Sequence, residues 1–221
     1  MASSIVYNMD CMEYMKSLPD KAFSLAVVDP PYGIGESGIN NHTRSCLATA
    51  SAYTPFEGGD AEAPPMEYFE ELMRVSENQI IWGANHFISR LPRRDSSCWL
   101  VWDKENGATD FADCELAWAS FKTAVRIFRF RWQGMLQGDM KHKERRIHPT
   151  QKPVALYAWI YSRYAKPGDR ILDTHLGSGS SRIAAWDAGL DFVGVELDKT
   201  YFDLEEKRFA EYSAQLRMED L

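Results

Sequence analysis

Short apolar runs alternate with amphipathic stretches along this chain. The runs at 5–8, 23–28, 79–82, 98–102, 114–120, 170–173 and 192–196 have the length and composition of strands. Helical spacing of apolar residues predicts helices over 11–18, 65–75, 85–91, 153–164, 180–188 and 200–215. Pro153 suits a first helical position and Gly189 the position just past a helix end. The alternation predicts an α/β fold, a mostly parallel sheet covered by helices on both faces. From Cys98 to about Phe130, strand-like segments follow one another without helices, which predicts antiparallel pairing there. Two segments fit neither period. Residues 33–63 hold Gly33, Gly35, Gly38, Gly58 and Gly59 among Ser, Asn and Thr, and 131–149 form the second. Unpatterned loops of such length are usually functional or disordered.

Composition adds limits. The 221 residues suit one domain, or one domain with a sizeable insertion, and 45% hydrophobic with 26% charged residues is ordinary for a globular protein. No run reaches membrane-spanning length, and Met1-Ala2-Ser3-Ser4 opens no basic-then-apolar leader. Cytoplasmic localisation is therefore expected, at the nucleoid in a bacterium. Cys11, Cys46, Cys98 and Cys114 lack CxxC spacing and a histidine cluster, which argues against a zinc site and fits a reducing compartment.

The net charge of −7 hides an uneven distribution. Residues 121–152 hold nine bases (Lys122, Arg126, Arg129, Arg131, Lys141, Lys143, Arg145, Arg146 and Lys152) against Asp139 and Glu144. The rest of the chain has 16 bases against 30 acids. A basic segment on an acidic body reads as a phosphate-binding surface, or as a solvated loop with no partner.

Two places carry candidate chemistry. The strand at 23–28 runs into Asp29-Pro30-Pro31-Tyr32. The carboxyl end of a parallel strand is where open α/β sheets bind ligands. Asp29 and the Pro30 carbonyl are acceptors held by a stiff proline pair, and Tyr32 offers a stacking face. Such a set would receive an exocyclic amine on a heterocycle, such as N6 of adenine. Taken alone it also describes a strand-ending turn.

The second place is Asp173-Thr174-His175-Leu176-Gly177-Ser178-Gly179, between the strand at 170–173 and a helix. A glycine turn and a helix N-terminus admit a ligand closely and attract its carboxylate or phosphate. The following strand ends at Glu196, where an acid can hydrogen-bond ribose hydroxyls. Together they describe a site for an adenosine-containing cofactor. Arg182 stands where a dinucleotide fingerprint needs its third glycine.

In this order, with Asp10-Cys11, Trp102-Asp103-Lys104 and His148-Pro149-Thr150-Gln151-Lys152-Pro153, these motifs resemble the S-adenosylmethionine-dependent amino-methyltransferases of DNA bases. The likeness is greatest to the permuted β group, in which Asp-Pro-Pro-Tyr precedes the glycine turn. The resemblance implies a Rossmann-like methyltransferase sheet with an antiparallel hairpin of the C-terminal type. It implies that Asp29, Pro30, Pro31 and Tyr32 form the catalytic corner, with Asp29 and the Pro30 carbonyl on the amine and Tyr32 on an extruded base. It places Asp173, His175, Gly177, Ser178 and Gly179 at the methionine end of the cofactor and Glu196 on its ribose. Asp10 and the Cys11 backbone would meet the adenine, and Thr150, Gln151 and Lys152 would line the pocket near the cofactor carboxylate. The family commonly carries Asp-Pro-Phe-x-Gly at the turn. Here the proline is missing and His175 takes the aromatic place.

The expected activity is methyl transfer to N6 of adenine in double-stranded DNA, with N4 of cytosine as the alternative within the family. Arg126, Arg129, Arg131, Lys141, Lys143, Arg145 and Arg146 are the candidate DNA contacts, and 33–63 the loop beside the target base. No metal is required. The short recognition region suits a homodimer sharing the duplex. A nicotinamide-dependent oxidoreductase would explain the glycine turn but not Asp29–Tyr32. A non-methylating nucleic-acid-binding module of the same fold is the third reading. A restriction–modification pair, a solitary regulatory role and viral self-modification are all compatible settings.

Overall fold

The structure is a computed structural model that describes residues 2–35, 60–107, 112–133 and 136–219. Most of the 33–63 loop, including Gly38, Cys46, Gly58 and Gly59, lies outside the described residues.

Eight strands form the main sheet: β1 (Ser4–Asn8), β2 (Phe23–Val28), β3 (Ser76–Trp82), β4 (Cys98–Asp103), β5 (Cys114–Ala119), β6 (Arg126–Arg129), β9 (Arg170–Asp173) and β10 (Asp191–Glu196). Their order is β1-β10-β9-β2-β3-β5-β4-β6. The first five run parallel. β7 (Trp132–Gln133) and β8 (Leu136–Gln137) make a separate antiparallel hairpin.

The central strands carry apolar stretches, Leu25–Val28 on β2, Ile80–Trp82 on β3 and Ile171–Leu172 on β9, because both faces are covered there. On β2, Leu25 and Val27 face one core with Trp82, Trp102, Leu156 and Ile160. Ala26 and Val28 face the other with Phe69, Leu72, Phe87 and Val195. The helices are α1 (Cys11–Lys16), α2 (Met66–Val75), α3 (Ala84–Phe87), α4 (Val154–Tyr164), α5 (Ser180–Asp187) and α6 (Lys199–Glu219). α2 buries Tyr68, Phe69, Leu72 and Val75, one stripe at helical spacing. Among the described residues, no helix is long and apolar enough to cross a membrane.

The region after Cys98 departs from expectation. Only β5 is antiparallel to its neighbours, β3 and β4, while β6 crosses β4's outer side and pairs with it in parallel. β6 gave no apolar signal because it is a sheet edge whose Arg126, Ile127 and Arg129 are exposed. Pro153 caps α4 from outside (φ −70°, ψ 146°) instead of opening it, and Gly189 follows α5 with φ +66°.

Candidate active site

β1, β10, β9 and β2 are adjacent and parallel, so their carboxyl ends share one rim. That rim carries Asp10 after β1, Glu196 at the end of β10, Asp173 at the end of β9 and Asp29 after β2. At roughly 4.8 Å per strand, the row spans about 14 Å. The chain leaves β9 through α5 towards β10, and leaves β2 through α2 towards β3 in the opposite direction. The rim between Asp173 and Asp29 is therefore a topological switch point, where such sheets bind ligands. The Asp29–Tyr32 corner and the glycine turn flank it side by side, since Leu25 pairs with Ile171 and Ala26 with Leu172.

Asp29 is enclosed by donors. Its Oδ1 accepts from Tyr32 Oη at 2.7 Å and its Oδ2 from Lys152 Nζ at 2.5 Å. Lys152 Nζ also lies 3.0 Å from Glu115 Oε2, and Glu115 Oε1 lies 2.5 Å from Lys104 Nζ. Burial raises the Asp29 carboxyl above the ordinary range, Lys152 pulls it back and Glu115 pushes it up again. Tyr32 has one face against His86, with ring centroids 5.2 Å apart and planes 15° from parallel. Its ring also lies over Gly83, where a Cβ would come within 2.1 Å of Tyr32 Cε1. Only a glycine leaves room for the ring at that φ of +69°. Asp60 fixes the turn that follows: its Oδ1 accepts the N–H of Tyr32 at 2.6 Å and of Gly33 at 2.9 Å.

At the glycine turn, the Glu196 carboxylate accepts the N–H of Gly177 at 2.7 Å and of Asp198 at 2.9 Å. Those bonds hold it at the rim with lone pairs to spare for hydroxyl donors. Burial raises its carboxyl, the Asp198 and Gly177 amides opposing. Asp173 is buried. It accepts from Ser181 Oγ and from His175 N at 3.1 Å, and burial pushes it up to about 7. His175 does not stand free. Its Nδ1 lies 3.0 Å from Thr174 Oγ1, its ring meets Tyr68 edge-on, and burial lowers it to about 4, so it is neutral at pH 7. Ser178 Oγ pairs with Ser180 Oγ at 3.1 Å, and its carbonyl accepts from Arg208 at 2.7 Å. Asp10 caps α1 by accepting the N–H groups of Met12 (2.7 Å) and Glu13 (3.0 Å). Burial first, then Asp10, pushes the Cys11 thiol up to about 12, so it stays protonated.

The 148–152 stretch divides. Thr150 Oγ1 lies 3.1 Å from His148 Nδ1, and the His148 ring is what a Cβ on Gly177 would meet, at 3.8 Å. Gln151 turns inward as a brace: Oε1 accepts the Ile147 N–H at 2.9 Å and its carbonyl accepts Trp132 Nε1 at 2.8 Å. Lys152 was expected near a cofactor carboxylate. Its ammonium reaches Asp29 and Glu115, two half-buried carboxylates.

Of the basic residues, Lys122, Arg126, Arg129, Arg131, Lys141, Lys143 and Arg145 are exposed. Arg129 pairs with Asp103 at 3.3 Å. Arg146, the remaining candidate, is half-buried, its guanidinium 5.0 Å from the Trp132 ring centroid. Glu144 ties the segment down by pairing with Arg208 (2.8 Å) and accepting the Val154 N–H (2.9 Å). Sequence reasoning missed Glu115, Gly83, His86 and Asp60. Glu115 carried one faint signal, an acid opening an otherwise apolar strand; Asp60 carried none.

A family model described as DNA methylase, covering the N6 and N4 amino-methyltransferases, matches residues 100–207. The Type II methyltransferase M2.MboI of Moraxella bovis is 22% identical over 97% of this chain and 90% of its own length. The Type II methyltransferase M.HinfI of Haemophilus influenzae is 25% identical over 91% of this chain and 67% of its own length. The crystal structure of the M1.HpyAVI–SAM complex shares the fold, with a TM-score of 0.59 and 22% identity over 92% of this chain and 98% of that one.

Proposed function

We infer that this DNA amino-methyltransferase, whose cofactor is S-adenosylmethionine, acts on N6 of adenine in double-stranded DNA. One observation carries the reading: the half-buried Asp29, followed by Pro30-Pro31-Tyr32, stands at the switch point directly beside the glycine turn, with Glu196 one strand further along the rim.

The residues present fit the cofactor. Glu196, fixed by two backbone amides at the end of β10, would take the ribose hydroxyls. Asp10 and the Cys11 backbone, one strand further out, would meet the adenine. Gly177, Ser178 and Gly179 would shape the methionine end, with Asp173 and Thr150 beside them. When bound, S-adenosylmethionine supplies a methyl made electrophilic by its sulfonium.

The amine is the poorer partner, because its lone pair is conjugated with the ring. Asp29 and the Pro30 carbonyl would each accept one of its hydrogens, which localises the lone pair and aims it at the cofactor. Asp29 is also the nearest base for the proton that the nitrogen sheds. Most of the rate comes from such positioning and from dipoles already in place. The base must leave the duplex to reach Asp29. The exposed Arg126, Arg129, Arg131, Lys141, Lys143 and Arg145 would hold phosphates on either side, and the 33–63 loop would cover the base. Two copies would share the duplex as a symmetric dimer.

The test is mass spectrometry of nucleosides from unmodified genomic DNA incubated with the protein and S-adenosylmethionine. N6-methyladenine is expected. N4-methylcytosine would move the assignment to cytosine, and neither product would sink the reading.

Tyr32 would then stack on the base only if its ring is correctly seated. Gly83→Ala drives a methyl into that ring. The expected result is a single-turnover rate lower by at least about tenfold, with cofactor affinity by calorimetry unchanged. A normal rate would show that the seat is irrelevant.

A further inference from the structure

Glu115 has no role in the chemistry derived so far, yet it reaches the reactive corner. It comes from β5, separated from β2 by β3. Lys104 arrives from the end of β4 and Lys152 from the segment before α4. These side chains form an alternating row, Lys104–Glu115–Lys152–Asp29, with contacts of 2.5, 3.0 and 2.5 Å. Lys152 is the most enclosed member, with 4% of its side chain exposed against 16–21% for the other three. Trp82 and Tyr32 wall the Lys152 ammonium at 5.6 and 5.5 Å from their ring centroids. Glu115 Oε2 also accepts from Tyr32 Oη at 3.2 Å.

Lys152 therefore serves two carboxylates. Had Asp29 held this cation alone, the pair would present no net charge to the amine. The row of two cations and two carboxylates is neutral overall, but sharing with Glu115 divides the Lys152 charge between two carboxylates, so less of it is spent on Asp29, the member nearest the target amine. Charged groups buried this closely act strongly on one another.

We propose that Glu115 is a positioning residue of the methyl-transfer site, which shares Lys152 with Asp29 and so keeps Asp29 a strong acceptor for the target amine. The assignment rests on the methyltransferase reading above. The electrostatics agree with it. Burial first, then Lys152 and Lys104, set Glu115, and the two lysines win, lowering it to about 2, so it stays anionic. Burial lowers Lys152, but Asp29 and Glu115 together raise it, so it stays cationic. Among the described residues, Tyr68 on α2, Tyr157 on α4 and Asp173 at the end of β9 also face Asp29 electrostatically.

The test is Glu115→Gln, followed by single-turnover methyl incorporation into genomic DNA across pH. Loss of the Glu115 charge lowers both Asp29 and Lys152, since it raises both in the native protein. Both limbs of the pH–rate profile are then expected to move to lower pH, with the plateau about tenfold lower. Glu115→Asp should restore part of the rate and the profile. Calorimetry should give a cofactor dissociation constant within about twofold of native, because Glu115 lies across the switch point from the glycine turn. A Glu115→Gln profile that superposes on the native one overturns the proposal. If that variant does not fold, Lys104→Met carries the test: it leaves Lys152 as Glu115's sole cation, the profile is expected to move, and an unmoved profile overturns the assignment. Failure of the underlying reading looks different, as Asp29→Asn would then retain native turnover.

Discussion

Asp29→Asn is expected to reduce methyl transfer by about three orders of magnitude while leaving cofactor affinity unchanged. The native carboxylate has an oxygen for Lys152 and another for Tyr32, with lone pairs remaining for the amine. The amide has a single acceptor oxygen. Its NH2 cannot face the Lys152 ammonium, so the oxygen turns there and the NH2 turns towards Tyr32 and the target amine. Donor then meets donor, and the lone pair on the nitrogen stays conjugated. Removing one preorganised group of this kind costs about 10²–10³ in rate, and the inverted dipole adds to that. Single-turnover incorporation and calorimetry together check it. Equal loss of binding and rate would instead make Asp29 a structural residue. Asp29→Ala, by contrast, would strip a buried lysine of its nearest carboxylate.

Gly179→Ala is expected to give the largest loss of stability, about 2–4 kcal/mol, from the strained backbone and the forced overlap together. Gly179 has φ +72°, and a Cβ there would come within 2.4 Å of the Glu205 side chain. Glu205 cannot swing away, because it is fully buried and bonded by both oxygens to Arg182 at 2.9 and 3.0 Å. Arg182 is fixed in turn by Ser4 Oγ at 2.9 Å, which ties β1 to α5. The overlap would therefore disturb the glycine turn, α5 and α6 together. Urea unfolding measures the loss, which is large against the usual 5–15 kcal/mol of a domain. A change under about 0.5 kcal/mol would show that the turn relaxes freely. Arg182 also explains the missing dinucleotide glycine, since its side chain occupies buried space between β1 and α6.

Much of this rim is legible in the sequence because it depends on local pattern. β2 and β9 match the expected ranges residue for residue, since the part of a strand covered on both faces, Leu25–Val28 and Ile171–Leu172, is apolar. Asp29, Asp173 and Glu196 were found for the same reason: each ends such a run, and strand ends of a parallel sheet lie on one side. The residues acting on those acids come from distant segments. Glu115 meets Asp29 across two strand positions, and Lys152 reaches it over 123 residues of chain. No spacing rule links them, so Lys152 read as a cofactor contact and Glu115 as an ordinary strand residue.

The sequence by itself determined the parallel core, the glycine turn and the identity of the acids along the rim, because periodicity and turn chemistry act over a few residues. Only the tertiary structure decided which cations those acids share, that Tyr32 rests on Gly83 and His86, and that Arg146 lies over Trp132. Charge pairing and ring packing depend on distances through space, and strand order, not chain order, sets those distances.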